Sequence, residues 1–219
     1  MRKIIFCTFL IFLTLNSFAQ NGRNGPSLWE EIRNNSFLEY DNSKPEIINA
    51  LKKYDSHQYL INRLSKNGQR YLFYTVSEAL KRDLPVELSL IPFIESQFDP
   101  YAQSSTGASG IWQFIPSTAL ENGLKKNWWY DGRRDIVAST KAAYDFLIKL
   151  NEEHDDWLIA IAAYNAGPSR VRKEIKKNKA KGLPADFWSL NLPKETKAYV
   201  PKILALTEVI RNPRLFNIE

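Results

Sequence analysis

Glu95 ends the apolar segment Leu88-Ser89-Leu90-Ile91-Pro92-Phe93-Ile94-Glu95-Ser96, and twelve residues later the chain enters a small-residue loop, Gly107-Ala108-Ser109-Gly110-Ile111-Trp112-Gln113-Phe114. A carboxyl facing apolar surroundings resists ionisation, because a carboxylate stripped of water is costly. It holds its proton toward neutral pH and can give it to a leaving-group oxygen, the work of a general acid. The competing reading is a solvated glutamate at a helix end. Asp99 is the nearest candidate for a second carboxylate, but beside Pro100 in a turn it reads as a loop-capping residue. His57 and His154 are the only histidines and share no metal-ligand spacing, so no metal is expected. Neither a phosphate-cradling glycine loop nor a nucleophile-elbow pattern occurs.

The elements that must position Glu95 read as helices. Apolar residues recur at helical spacing, and no run of period-two alternation is long enough for a sheet, so the fold class is all-α. Two or three short helices are expected over Leu28 to Lys66, one of them from Pro45 to Tyr54. Another should run from about Gln69 to Arg82, with Pro85 in the first turn of the helix that carries Glu95. Residues 96 to 107 form a polar loop of turn formers, including Asp99-Pro100 and Ser104-Ser105-Thr106-Gly107. Pro116 opens a short helix that Asn122-Gly123 closes. Asp135 is the expected N-cap of a long helix to about Asn151, and Asp155 or Asp156 caps the next, which ends at Gly167. Pro168 starts another. The last helix begins around Pro193 and should bend or restart at Pro201.

Composition narrows the compartment. Met1-Arg2-Lys3, the apolar stretch Ile4 to Leu15 and the small residues Ser17 and Ala19 match a secretory leader cleaved after Ala19, with an apolar run too short to span a bilayer. Cys7 is the only cysteine and belongs to that leader, so the exported chain has no disulfide and depends on packing. Residues 20–68 read as a short helical N-terminal extension and 69–219 as the catalytic domain. Without Arg2 and Lys3 the chain has 28 basic and 24 acidic residues, a formal charge of +4. That modest excess suits an anionic polymer such as a cell wall. The Lys-rich run Arg172 to Lys181 reads as a solvated helix face, and no motif accompanies it that would read nucleic acid.

Four segments occur in order: Glu95-Ser96, then Gly107 to Gln113, then Ala162-Ala163-Tyr164-Asn165-Ala166-Gly167, then Glu195-Thr196-Lys197-Ala198-Tyr199-Val200. This series resembles the family 1 lytic transglycosylases, and within them the membrane-bound transglycosylase D branch. The branch likeness rests on Gly110 to Thr118, Arg133-Arg134-Asp135-Ile136-Val137-Ala138-Ser139-Thr140 and Leu192-Pro193-Lys194-Glu195-Thr196-Lys197. The resemblance implies a lysozyme-like helical domain that cleaves the β-1,4 bond between N-acetylmuramic acid and N-acetylglucosamine without consuming water. One glutamate protonates the glycosidic oxygen and then deprotonates the muramyl 6-hydroxyl as it closes a 1,6-anhydro ring. Glu95 matches that residue. An intramolecular nucleophile makes the usual second carboxylate dispensable.

By the same resemblance Ser104 is the loop serine near the catalytic glutamate and Gln113 the glutamine that bonds sugar hydroxyl or acetamido groups. Tyr164 is the tyrosine that holds the carboxyl in position, with Asn165 supporting it. Glu195 and Tyr199, four apart on one helix face, match the motif lining the groove, although Glu195 also fits a helix-opening role. Gly107 and Gly110 permit either a tight backbone close to the sugar or simply a turn. Trp112 has two readings, core packing or groove wall, and so has the cluster Trp128-Trp129-Tyr130, core packing or stacking on sugar rings. The expected partner is a peptidoglycan glycan strand, bound by a monomer with no cofactor and no nucleic acid. Two rivals stay open: a hydrolytic lysozyme using Asp99 as base, and a wall-binding protein that keeps the groove without the chemistry. The branch's C-terminal wall-binding repeats have no counterpart in the sequence.

Overall fold

The computed structural model describes residues 26–55 and 57–215, and the leader read over 1–19, with Cys7 and Ala19, lies outside them. Among the described residues the regular structure is helical, and extended pairing is limited to three isolated bridges. Helix α1 (Leu28–Asn34) starts on a capping box in which the Ser27 hydroxyl accepts from the Glu30 N–H and the Glu30 carboxylate accepts from the Ser27 N–H. Helix α2 (Pro45–Asp55) buries Ile47, Ala50 and Tyr54.

Helix α3 spans Gln58–Leu80, so it begins eleven residues before the Gln69 start expected from the sequence, and the 68/69 boundary falls inside it. A mid-helix glycine such as Gly68 costs about 1 kcal/mol against alanine. Burial of Leu64, Leu72, Val76 and Ala79 on the helix outweighs that cost. The segment before α3 is no loose arm. Trp29, Ile32, Ile47 and Tyr54 join the same buried cluster as Leu204 and Val209 of α9 (Lys194–Arg211), and α2 packs along α9.

The Glu95 segment is shorter than a single helix from Pro85 would be. Val86–Leu90 is a 3₁₀ turn, and α4 (Ile91–Ser96) follows, with Pro92 in its first turn where no N–H is needed. Two consecutive left-handed residues, Gln97 (φ 54°) and Phe98 (φ 61°), then reverse the chain. The Phe98 N–H donates to the Pro92 carbonyl (3.3 Å) and its ring is buried beside Phe93. This reversal leaves Glu95 on the last turn of a six-residue helix, facing out of the core.

After the loop, α5 (Pro116–Glu121) ends at Asn122, and α6 (Ile136–His154) starts where Asp135 accepts from the Ala138 N–H (2.9 Å). α7 (Trp157–Ala166) is capped by Asp156, which accepts from the Leu158 and Ile159 N–H groups. Its run from Leu158 to Ala163 is buried throughout, because α6, α8 (Pro168–Ala180) and α9 surround it. α9 continues through Pro201 as one helix, so of the bend or restart expected there the restart does not occur.

Candidate active site

The end of α4, the loop before α5, the end of α7 and the first turns of α9 enclose a cleft of about 380 Å³. Of the residues expected from the sequence, Glu95, Ser104, Gln113, Tyr164, Asn165 and Glu195 line it together. Glu95 is half-buried, and its Oε1 accepts a 2.5 Å hydrogen bond from the Tyr199 hydroxyl. Oε2 has no protein partner, so this oxygen is left for the cleft. Loss of water pushes the Glu95 carboxyl up to about 7; the Tyr199 bond opposes the shift, the Glu195 charge adds to it, and Lys202 opposes it. Burial likewise pushes the Tyr199 hydroxyl well above its ordinary value, which keeps it a donor.

Tyr164 lines the cleft with Glu95 as expected, but its hydroxyl is bonded elsewhere. Its hydroxyl donates to the Trp112 carbonyl (2.7 Å), and the tyrosine that holds Glu95 is Tyr199. Trp112 is fully buried, so it belongs to the core and offers no groove wall. Its indole N–H donates to Thr140 Oγ1 (2.9 Å), and its ring meets Tyr144 and Tyr164 edge to face. Tyr144 in turn donates to the Thr75 carbonyl of α3 (2.7 Å). The aromatic cluster thus ties the loop to α3, α6 and α7.

The loop itself is pinned by Arg133, which is nearly buried. Its Nη1 donates to the Gly107 and Phe114 carbonyls (2.7 and 3.2 Å), while Nε and Nη2 hold the Asp131 carboxylate. Gly110 (φ 81°) lies so close to the Arg133 backbone that a Cβ would sit 1.8 Å from its carbonyl oxygen. Its role is this backbone crossing, and Gly107 serves the same pin through its carbonyl; neither lines the cleft. The Gln113 amide nitrogen donates to the Ala102 and Gly110 carbonyls (3.2 and 2.7 Å), which leaves only its oxygen for a ligand. Ser104 Oγ accepts from the Ala108 N–H (3.0 Å) and contacts Thr106 Oγ1 (2.9 Å), holding the turn that forms one cleft wall.

On the opposite wall, Asn165 Oδ1 accepts from Thr196 Oγ1 (2.8 Å), which locks the end of α7 to the start of α9. Glu195, exposed in the first turn of α9, places a second carboxylate on the cleft. Asp99 does not enter it: its carboxylate caps a turn by accepting from the Tyr101 N–H (2.8 Å). Sequence reasoning singled out neither the Arg133 pin nor Thr196, although both fall within motifs noted for the family likeness. The four-residue spacing of Glu195 and Tyr199 did signal that both face one side of α9.

The Transglycosylase SLT domain profile matches residues 75–186, slightly over half of the chain. The chain belongs to the transglycosylase SLT domain family. Among its relatives, the membrane-bound lytic murein transglycosylase D of Escherichia coli (strain K12) is 46% identical over 168 residues, 76% of this chain and 37% of that protein. A protein of Alteromonas sp. (strain M-1) named for tributyltin chloride resistance is 39% identical over 68% of this chain and 72% of its own length. Among solved structures, the lytic transglycosylase Slt of Pseudomonas aeruginosa is 29% identical, with a TM-score of 0.48 over 66% of this chain and 24% of that one. This SLT-family chain therefore spans little more than a third of the E. coli protein's length. Among its described residues no helix is long and apolar enough to cross a membrane.

Proposed function

We propose that this protein cleaves the β-1,4 bond between N-acetylmuramic acid and N-acetylglucosamine in peptidoglycan, leaving 1,6-anhydromuramic ends. Glu95 Oε2 gives its proton to the glycosidic oxygen as the C1–O bond breaks; the carboxylate then takes the proton of the muramyl 6-hydroxyl while that oxygen bonds C1, so no water is consumed. The observation that carries this reading is the Glu95 carboxyl, pushed up to about 7 with one oxygen held by Tyr199 and the other left for the cleft. A group with that value is both a competent acid and a competent base near neutral pH. The proposal includes export to the periplasm or cell envelope with cleavage after Ala19, and action as a monomer without cofactor.

Glu195 supports a second reading. A second carboxylate on the same cleft is the requirement for activating a water, whereas Asp99 is spent on its turn. Digestion of purified sacculi in ¹⁸O-labelled water separates the two. Anhydro ends without label are expected; labelled reducing ends would make the enzyme a hydrolase.

A further inference from the structure

Trp128 and Trp129 stand almost bare, 88% and 89% exposed. The core reading fails for both, and two adjacent naked indoles are a costly surface for a protein to keep unless something covers them. The backbone beneath them is built to hold them out. Lys126 and Asp131 pair as an antiparallel bridge, and the Asn127 N–H donates to the Tyr130 carbonyl (2.8 Å). The Asn127 side chain accepts from the Trp129 and Tyr130 N–H groups (2.9 and 2.8 Å), and the Tyr130 hydroxyl donates to Asp135 (3.0 Å). These bonds shape the tip locally, without contributions from the indoles. Their rings are nearly perpendicular, at 85°, and present two separate stacking faces.

These rings border a second cleft, with Tyr101, Gln103, Lys126 and Arg134 around it. The strip 101–104 is its shared wall with the catalytic cleft. Gln103 pairs with Ser109 in an extended bridge, where neighbouring side chains point to opposite faces. Tyr101 and Gln103 accordingly line the aromatic cleft, while Ser104 lines the cleft of Glu95. The two clefts adjoin along one strip of chain.

We propose that Trp128, Trp129 and Tyr101 form a distal saccharide subsite, which grips the same glycan strand outside the catalytic cleft. The occupant follows from the chemistry. The slightly positive C–H faces of a pyranose ring match the negative faces of indole and phenol, and the surrounding amide and charged groups satisfy its hydroxyl and acetamido groups. An anionic bilayer is a poor match, because Lys126, Arg133 and Arg134 are nearly balanced by Asp131 and Asp135 at the same cleft. This subsite rests on the glycan-cleaving reading for its polymer but not for its existence, since binding can be measured without cleavage.

The test is the exposed double variant Trp128→Ala/Trp129→Ala, assayed for binding to peptide-free glycan strands in a Glu95→Gln background and for cleavage with Glu95 intact. The dissociation constant for long strands should rise at least about tenfold, the loss expected from removing aromatic stacking. For a tetrasaccharide that fills only the catalytic cleft, kcat and KM should be unchanged, and the Phe/Phe variant should recover most of the affinity for long strands. Unchanged affinity for long strands, with an unchanged melting temperature, overturns the subsite. So does loss of binding to phosphatidylglycerol vesicles with strand affinity intact, which would make the tip a lipid contact. If Glu95→Gln still cleaves, the catalytic reading fails, and the strand-binding comparison still decides the subsite.

Discussion

Glu87 and Glu95 lie in consecutive helical segments, and loss of water pushes both carboxyls up. Their second oxygens separate them. Glu87 is completely buried: Oε1 accepts from the Leu38 N–H (3.0 Å) and lies 3.7 Å from Arg211, while Oε2 is sealed in with no partner. Around it Tyr40, Glu208 and Arg211 are bonded to one another, fastening the segment before α2 to the end of α9. Glu95 has a single phenolic donor and an oxygen left for the cleft. A raised carboxyl therefore does not by itself mark an acid catalyst. The proton must also have somewhere to go, and Glu95, unlike Glu87, keeps an oxygen on the cleft.

Replacing each glutamate by glutamine breaks the comparison most sharply. Glu95→Gln should remain folded and lose turnover by about 10²-fold to 10⁴-fold or more, since the amide keeps the shape but has no acidic proton. Glu87→Gln should retain activity within a few-fold and instead lower stability by about 1 to 3 kcal/mol, through weakened pairing with Arg211. Turnover assays and thermal melts on both variants check this; a dead Glu87→Gln enzyme with wild-type stability would contradict it.

Tyr199 and Tyr164 sharpen it next. Tyr199→Phe should cost roughly ten- to a hundredfold in turnover by removing the one hydrogen bond to Glu95. That bond opposes the upward shift, so its loss should also move the alkaline limb of the pH–rate profile to higher pH. Tyr164→Phe removes a bond to the Trp112 carbonyl, so its main effect should be a lower melting temperature with the alkaline limb unmoved. Equal shifts of the limb in both variants would show that Tyr164 also acts on Glu95.

The pH dependence of stability gives a smaller effect. Folding raises Glu95 from 4.5 to about 7, so its contribution is fully present below about 4.5 and is lost as the pH rises through 7. Relative to Glu95→Gln, wild type should lose up to about 3 kcal/mol across that window. Parallel stability curves in denaturant melts would remove the basis for the raised value. Smallest of all, Asp99→Asn should change turnover less than about threefold, because an amide oxygen can still cap the Tyr101 N–H; a loss matching that of Glu95→Gln would return Asp99 to the chemistry.

What the sequence by itself determined is what neighbouring residues settle between themselves. Asp135 and Asp156 cap α6 and α7 through N–H groups two or three residues away, Gly167 ends α7, and Pro116 opens α5, all as read from local pattern. Glu95 stood out for the same reason, as a carboxyl closing an apolar run. Only the tertiary structure decided which tyrosine reaches it. Tyr164 is partly buried near the end of α7 and Tyr199 is buried near the start of α9, and which of them meets Glu95 depends on how these helices pack around α4, a relation between residues 104 positions apart. Trp112 shows the same limit. Beside a glycine loop an indole suits a groove wall as well as a core, until α6 brings Thr140 to its N–H and Tyr144 to its face. Caps are determined locally because their partners are covalently near, whereas the partner of a buried side chain exists only once the helices have packed.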